Sequence, residues 1–211
     1  MSGGGPAIRT EDLRYSAGGL DVLKGISLEV DENVFVAVVG PNGSGKTTFI
    51  RCVLGILACE GKVEILGRDP RRDVGVKRAV GYLPQQLSFP PLSVREVVEL
   101  HARLVGVGTN ADAVLKEVGL LGRSTVKAHR LSGGERQRLG WAMALLHGPK
   151  VLFLDEPFSN LDVEWKRWAL ERLVELKGRS TVFLITHELE LVKGIVDNVV
   201  EFEYGEVKRV W

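Results

Sequence analysis

Val34-Phe-Val-Ala-Val-Val39 followed by Gly40-Pro-Asn-Gly-Ser-Gly-Lys-Thr47 is the stretch on which the fold turns. An apolar, β-branched run reads as a buried strand, and a helical pattern begins near Lys46. The loop between them fits G-x-x-x-x-G-K-[ST] at every fixed position. In this strand–loop–helix setting the backbone N–H groups of Asn42, Gly43, Ser44 and Gly45, with the helix N-terminus at Thr47-Thr48, would cradle β- and γ-phosphates. Gly40 opens the loop, Lys46 adds a point charge on the phosphates, and the Thr47 hydroxyl is placed to reach Mg²⁺. The segment predicts binding of a nucleoside triphosphate.

The chain has 211 residues, enough for one large core or two small ones. A net charge of +1 gives no electrostatic case for nucleic acid. No uncharged apolar run approaches the roughly 18 residues of a membrane span, and Met1-Ser-Gly-Gly-Gly-Pro6 lacks the regions of a secretory signal. The chain is therefore expected in the cytosol. Cys52 and Cys59 form no C-x-x-C and sit among apolar residues, so both are expected as buried or half-buried free thiols.

With no internal repeat or low-complexity tract, residues 1–211 read as one unit. Strand signals lie at Leu20–Val22, Ile26–Val30, Val34–Val39, Lys62–Leu66 and Ala79–Leu83, and return at Val151–Leu154 and Thr181–Ile185. Between them Phe89-Pro90-Pro91 breaks the pattern, and Ser93-Val-Arg-Glu96 has the S-x-x-E form of a capping box. Helical spacing follows through Val94, Val97, Val98, His101, Leu104 and Val105, then over Ala111–Val118, and again from Ser132 through Leu139, Ala142, Met143 and Leu146. Strands alternating with helices imply a parallel sheet covered on both faces. The expected organisation is an α/β core, about 1–85 and 148–211, with a helical insertion over about 86–147.

Val151-Leu-Phe-Leu-Asp155-Glu156-Pro157 is an apolar strand that ends in two carboxylates. A buried parallel strand delivers its C-terminal residues to the sheet edge where ligands bind. Asp155 could there hold Mg²⁺ beside Thr47, and Glu156 could take a proton from an attacking water. Leu131-Ser-Gly-Gly-Glu135 is a second S-x-x-E, with Gly133 and Gly134 exposing backbone N–H groups next to the Ser132 hydroxyl. Such a helix start is an anion site, yet the chain already has a phosphate cradle. A spare site makes sense if it serves a second copy of the protein.

Taken in order, Gly40–Thr48, Gly81-Tyr-Leu-Pro-Gln85, Leu131–Glu135, Leu152–Pro157, Ser159-Asn-Leu-Asp162 and Thr186-His187 resemble the motif set of the ABC-transporter ATPase subunit. The likeness runs from about Ile8 to Val207. It implies a P-loop NTPase (RecA-like) core with an N-terminal antiparallel β layer and a helical insertion. It implies ATP and Mg²⁺, with Tyr15 stacking on adenine, Gln85 contacting Mg²⁺ and the attacking water, and His187 bonding the γ-phosphate. Glu156, His187, Gln85 and Lys46 would be catalytic; Thr47, Gln85 and Asp155 would hold the metal. Ser132, Gly133, Gly134 and Glu135 would clamp the partner's nucleotide, and Asp162 would cross the dimer seam. Glu135 stands where the family frequently has Gln, and Glu32-Asn33 replaces a usual Gly-containing turn. His101, His129 and His147 match nothing and read as surface or packing residues.

The resemblance implies an ATPase that powers transport as a head-to-tail homodimer or heterodimer, with separate integral membrane permease subunits and no nucleic acid. The chain would be cytoplasmic, peripheral on the cytoplasmic face of the membrane. It would end at Trp211 without an appended regulatory domain, and the permease would dock between Gln85 and about Leu104, where Leu87, Phe89 and Pro90-Pro91 would otherwise face water; the other reading of Phe89 is a hydrophobic staple under the Ser93 helix cap. The alternative is a soluble ABC ATPase of translation, repair or cluster assembly. Those commonly carry tandem units, coiled-coil insertions or zinc cysteines. A guanine-nucleotide switch would carry [NT]-K-x-D, and a small-molecule kinase would not need Leu131–Glu135.

Overall fold

The run after Val34 becomes strand β3 (Phe35–Val39), which lies inside a sheet and not at its edge. The computed structural model describes residues 5–211; Met1–Gly4, read above for a leader, lie outside them. The sheet also holds β5 (Val80–Leu83), β6 (Val151–Asp155), β7 (Thr181–Ile185), β8 (Asn198–Glu203) and β9 (Glu206–Val210), in the order β5-β6-β7-β3-β8-β9. All neighbours are parallel except β9, which folds back on β8 through Tyr204-Gly205. Both turn residues have positive φ (50° and 83°), the geometry of a two-residue hairpin turn. A second sheet is antiparallel, β2-β1-β4, from β1 (Ile8–Ala17), β2 (Leu20–Val30) and β4 (Glu60–Ile65).

Helices cover the sheet faces. They are α1 (Lys46–Val53), α2 (Val94–Val105), α3 (Ala111–Glu117), α4 (Gly133–Leu145), α5 (Val163–Leu176) and the short α6 (Leu189–Val192). Side-chain alternation divides β6 between two cores. Val151 and Phe153 join Phe49, Phe183 and Phe202 under the antiparallel layer, whereas Leu152 and Leu154 join Trp141, Phe158 and Leu173 on the opposite face. This two-sided burial explains why β6 reads as a continuous apolar run. A third cluster packs Val94, Val97 and Val98 of α2 against Leu115, Leu120 and Leu139. The α2 and α4 starts both form complete capping boxes, at Ser93/Glu96 and Ser132/Glu135. Among the described residues no helix is long and apolar enough to cross a membrane.

Three expectations need correction. Cys52 and Cys59 are not free thiols: they form a disulfide with Cα atoms 5.8 Å apart. The chain leaves α1, turns at Leu54–Ala58 and enters β4, which brings the last turn of the helix back beside the strand. Seven residues of separation carry no motif signal, so spacing alone could not pair them. Leu20–Val22 and Ile26–Val30 are not two strands but the continuous β2, whose left-handed Gly25 (φ 94°) lies within a ladder containing register shifts. Leu87 and Phe89 are also not free apolar groups. Leu87 packs against the core beneath α4 and Phe89 against the helical cluster.

Candidate active site

Parallel strands share a direction, so their C-terminal ends meet at one edge of the sheet. The loop after β3, Gln85 after β5, Asp155-Glu156 at the end of β6 and His187 after β7 all reach that edge. There Asn42–Thr48, Gln85, Asp155, Glu156 and His187 line one cavity of about 300 Å³, joined by Val22 and Ile185. The Gly-rich loop is closely packed at Gly40 and Gly45, whereas Gly43 has open space but a left-handed backbone, φ 79°. A Cβ on Gly40 would meet the Phe202 carbonyl oxygen at 2.1 Å, and the residue sits at φ 141°.

Helix α1 begins at this loop with Gly45 as its N-cap, φ 100°, without a side-chain cap bond. Its first-turn N–H groups therefore lack helical acceptors, and with the loop amides they form a positive cradle suited to phosphate. Ser44 Oγ is buried here without a hydrogen-bond partner. Lys46 Nζ donates to the Gly40 and Pro41 carbonyls, at 2.7 and 2.9 Å. Burial holds its ammonium below the usual lysine range, partly opposed by Glu156 and Asp155.

Thr47 Oγ1 donates to Asp155 Oδ2 at 2.7 Å. Asp155 is 1% exposed, and burial pushes its carboxyl up, against the Thr47 bond and the charges of Arg51 and Lys46. A hydroxyl and one carboxylate make a poor all-protein cage, but they suit Mg²⁺, which retains waters and shares phosphate oxygens. The cation would offset the cost of the buried Asp155 charge.

Glu156 follows in a left-handed backbone, φ 53°, with its N–H donating to the Ile185 carbonyl at 3.0 Å. His187 N donates to Glu156 Oε2 at 3.4 Å, and His187 Nε2 lies 3.3 Å from Oε1. Burial raises the Glu156 carboxyl, with His187 drawing it partly back. Such a carboxylate is a stronger base than an exposed one. Gln85, and not the adjacent Gln86, lines the cavity.

The remaining predicted residues lie elsewhere. Tyr15 lines a separate concavity with Ser16, Asp21, Leu23 and Lys24, while Leu23 and Val22 approach Gly45 closely on the loop side. Ser132 Oγ accepts from Glu135 N at 3.2 Å, Ser132 N donates to Glu135 Oε2 at 2.9 Å, and Arg123 Nε donates to Oε1 at 2.8 Å. A Cβ on Gly134 would stand 2.8 Å from the Asn160 carbonyl oxygen, and Gly133 faces the same residue. Asp162 caps α5, accepting from Trp165 N at 3.0 Å. No residue of Ser132–Glu135 lines the phosphate cavity. Of the other histidines, His101 and His147 are half-buried with rings 6.2 Å apart, and His129 is exposed.

Residues 23–159 match the ABC transporter family. The chain is 37% identical over 194 residues to an uncharacterized ABC transporter ATP-binding protein, YxlF, of Bacillus subtilis (strain 168), covering 89% of this chain and 64% of that protein. It is 34% identical over 208 residues to the tungstate uptake system ATP-binding protein TupC of Peptoclostridium acidaminophilum, covering 95% and 96%. Its fold matches, with a TM-score of 0.86 and 26% identity over 97% of both chains, a dimeric ATP-binding cassette solved in a post-hydrolysis state with ADP and Pi. The chain belongs to the family of ABC transporter ATP-binding proteins, whose cassettes are ATPases.

Proposed function

We propose that this chain binds ATP with Mg²⁺ in the cavity at Gly40–Thr48 and hydrolyses it to drive transport through separate membrane subunits. The observation that carries this reading is the convergence of the phosphate loop, Thr47–Asp155, Glu156 and His187 on one sheet edge. Loop N–H groups and Lys46 hold the phosphates, and Thr47, Asp155 and Gln85 hold the cation. The cation, when bound, neutralises charge on the phosphate oxygens. Glu156 accepts the proton of the attacking water, while His187, beside that carboxylate, orients toward the γ-phosphate.

Two copies pair head-to-tail in this proposal, with Ser132–Glu135 of one closing on the nucleotide of the other. Support comes from the separation of that clamp from the chain's own cavity and from the dimeric state of the similar cassette. Tyr15 supplies the face for adenine, and Asp162 lies at the seam. Of the described residues, about 5–85 and 148–211 form the catalytic part and about 86–147 the helical part in this proposal. The place of work is the cytoplasmic face of a membrane. TupC, matched over nearly its full length, is named for uptake, which favours transport over the soluble roles of other ABC ATPases.

Glu156→Gln tests the centre of this reading. Hydrolysis should fall at least about 10²-fold because the amide cannot accept the proton, while ATP binding persists and a nucleotide-bound dimer accumulates on size-exclusion chromatography. Wild-type turnover by this variant would remove Glu156 as the base.

A further inference from the structure

Glu156 has a left-handed backbone, φ 53°, that a non-glycine residue seldom adopts, and such strain persists only where the surroundings over-determine it. Besides its backbone bonds to Ile185 and Ser159, it is held by side chains of α4. Gln137, 2% exposed, donates from Nε2 to the Glu156 carbonyl at 3.3 Å and to the Pro157 carbonyl at 3.0 Å. Trp141, one turn on and fully buried, donates from Nε1 to the same Pro157 carbonyl at 3.0 Å. Three bonds from two side chains thus converge on two successive peptide units, adding to the single backbone bond there, from Ser159 N to the Glu156 carbonyl at 3.2 Å.

We propose that Gln137 and Trp141 are positioning residues that aim the Glu156 carboxylate and tie its placement to the N-terminus of α4. The inference rests on Glu156 being the base. Gln137 stands two residues beyond Glu135, and the glycines of the same helix start lie against Asn160. A rigid α4 therefore delivers any displacement of Ser132–Glu135 to the Glu156–Pro157 peptides through the Gln137 amide and the Trp141 indole. An apolar residue at position 137 would fill the same volume but leave the Glu156 carbonyl with Ser159 N alone, at 3.2 Å, and the Pro157 carbonyl with Trp141 alone, so each acceptor would lose one of its two donors. Glutamine is the fitting type because one nitrogen carries two N–H donors.

The test compares Gln137→Met and Trp141→Phe with the parent in the full chain. Methionine keeps the length and removes both donors; phenylalanine keeps the ring packing and removes only the indole N–H. Gln137→Met should lower kcat about tenfold or more, since a small misplacement of a catalytic group is costly. ATP affinity and KM should stay within about twofold, because the phosphate cradle belongs to β3 and α1. Trp141→Phe should lower kcat less, with KM again unchanged, which keeps the idea testable if the methionine variant fails to fold. Wild-type kcat in the folded variants overturns the proposal. So does a loss of kcat that comes with proportionate losses of ATP affinity and Tm, which marks general packing. Glu156→Gln run alongside separates the two levels: if it hydrolyses normally the base assignment fails, and if it is inactive while Gln137→Met is normal only the positioning role fails.

Discussion

Glu135 illustrates how one carboxylate can bind a helix start to a neighbouring turn. The Ser132 N–H, with help from Arg123, holds its carboxyl below the usual glutamate range against the opposing cost of burial. A depressed acid contributes stability that is present above the unfolded value, about 4.3, and is lost as pH falls through the folded one. Glu135→Gln keeps an acceptor for Ser132 N but gives up the charge. Its Tm at pH 7 should therefore lie about 1–3 °C below the parent, and the gap should close as the pH drops below about 4; a gap independent of pH would sink the assignment. That Asp155, Glu156 and Thr47 meet at one sheet edge was legible from sequence, because the motif's residue types and spacing put a loop and a strand end there. Gln137 and Trp141 were not, because nothing in a helical pattern shows that a buried amide and an indole reach the carbonyls of residues 156 and 157.

Among the elements, those with one strong period were the readable ones: β3, β6 and β7 as apolar runs, and α2 and α4 from their caps and spacing. β1 was harder, since Glu11 and Asp12 interrupt its alternation at a bulge where Asp12 has φ 47°. β9 carries no legible strand signal because it is largely exposed and its sequence, Glu-Val-Lys-Arg-Val, has little apolar pattern, whereas β8 is short and its apolar residues are only Val199, Val200 and Phe202. The Cys52–Cys59 bridge fastens the end of α1 to β4 and so joins the phosphate-loop helix to the antiparallel layer. Cross-linking a loop this short should contribute about 2–3 kcal/mol by restricting the unfolded chain. The midpoint of urea unfolding should accordingly fall on adding reductant, and Cys59→Ala should unfold at the reduced midpoint with or without it. Equal midpoints for the parent under both conditions would count against a stabilising bridge.

At the scale of the whole molecule, the proposed clamp and the proposed cradle lie apart in one chain, which sets up a mixing experiment. Ser132→Arg should bind ATP as the parent does yet lose turnover, and Lys46→Ala should lose turnover through the cradle itself. In a head-to-tail pair both lesions fall in the same composite site, so mixed chains regain hydrolysis that neither variant has alone. A mixture as inactive as its components, or a Ser132→Arg chain that no longer binds ATP, would place the clamp in its own chain's pocket. The strand order has a further consequence, for synthesis. The loop at Gly40–Thr47 leaves the ribosome early, but β3 has β7 and β8 as its neighbours, and Gly40 rests on Phe202 while Gly205 N donates to the Ser44 carbonyl at 3.1 Å. A nascent chain thus exposes its glycine-rich loop long before the wall behind it exists. The nucleotide site is completed only when the C-terminal hairpin has been translated, so an unfinished chain has no finished cradle to hold nucleotide or to compete for a partner.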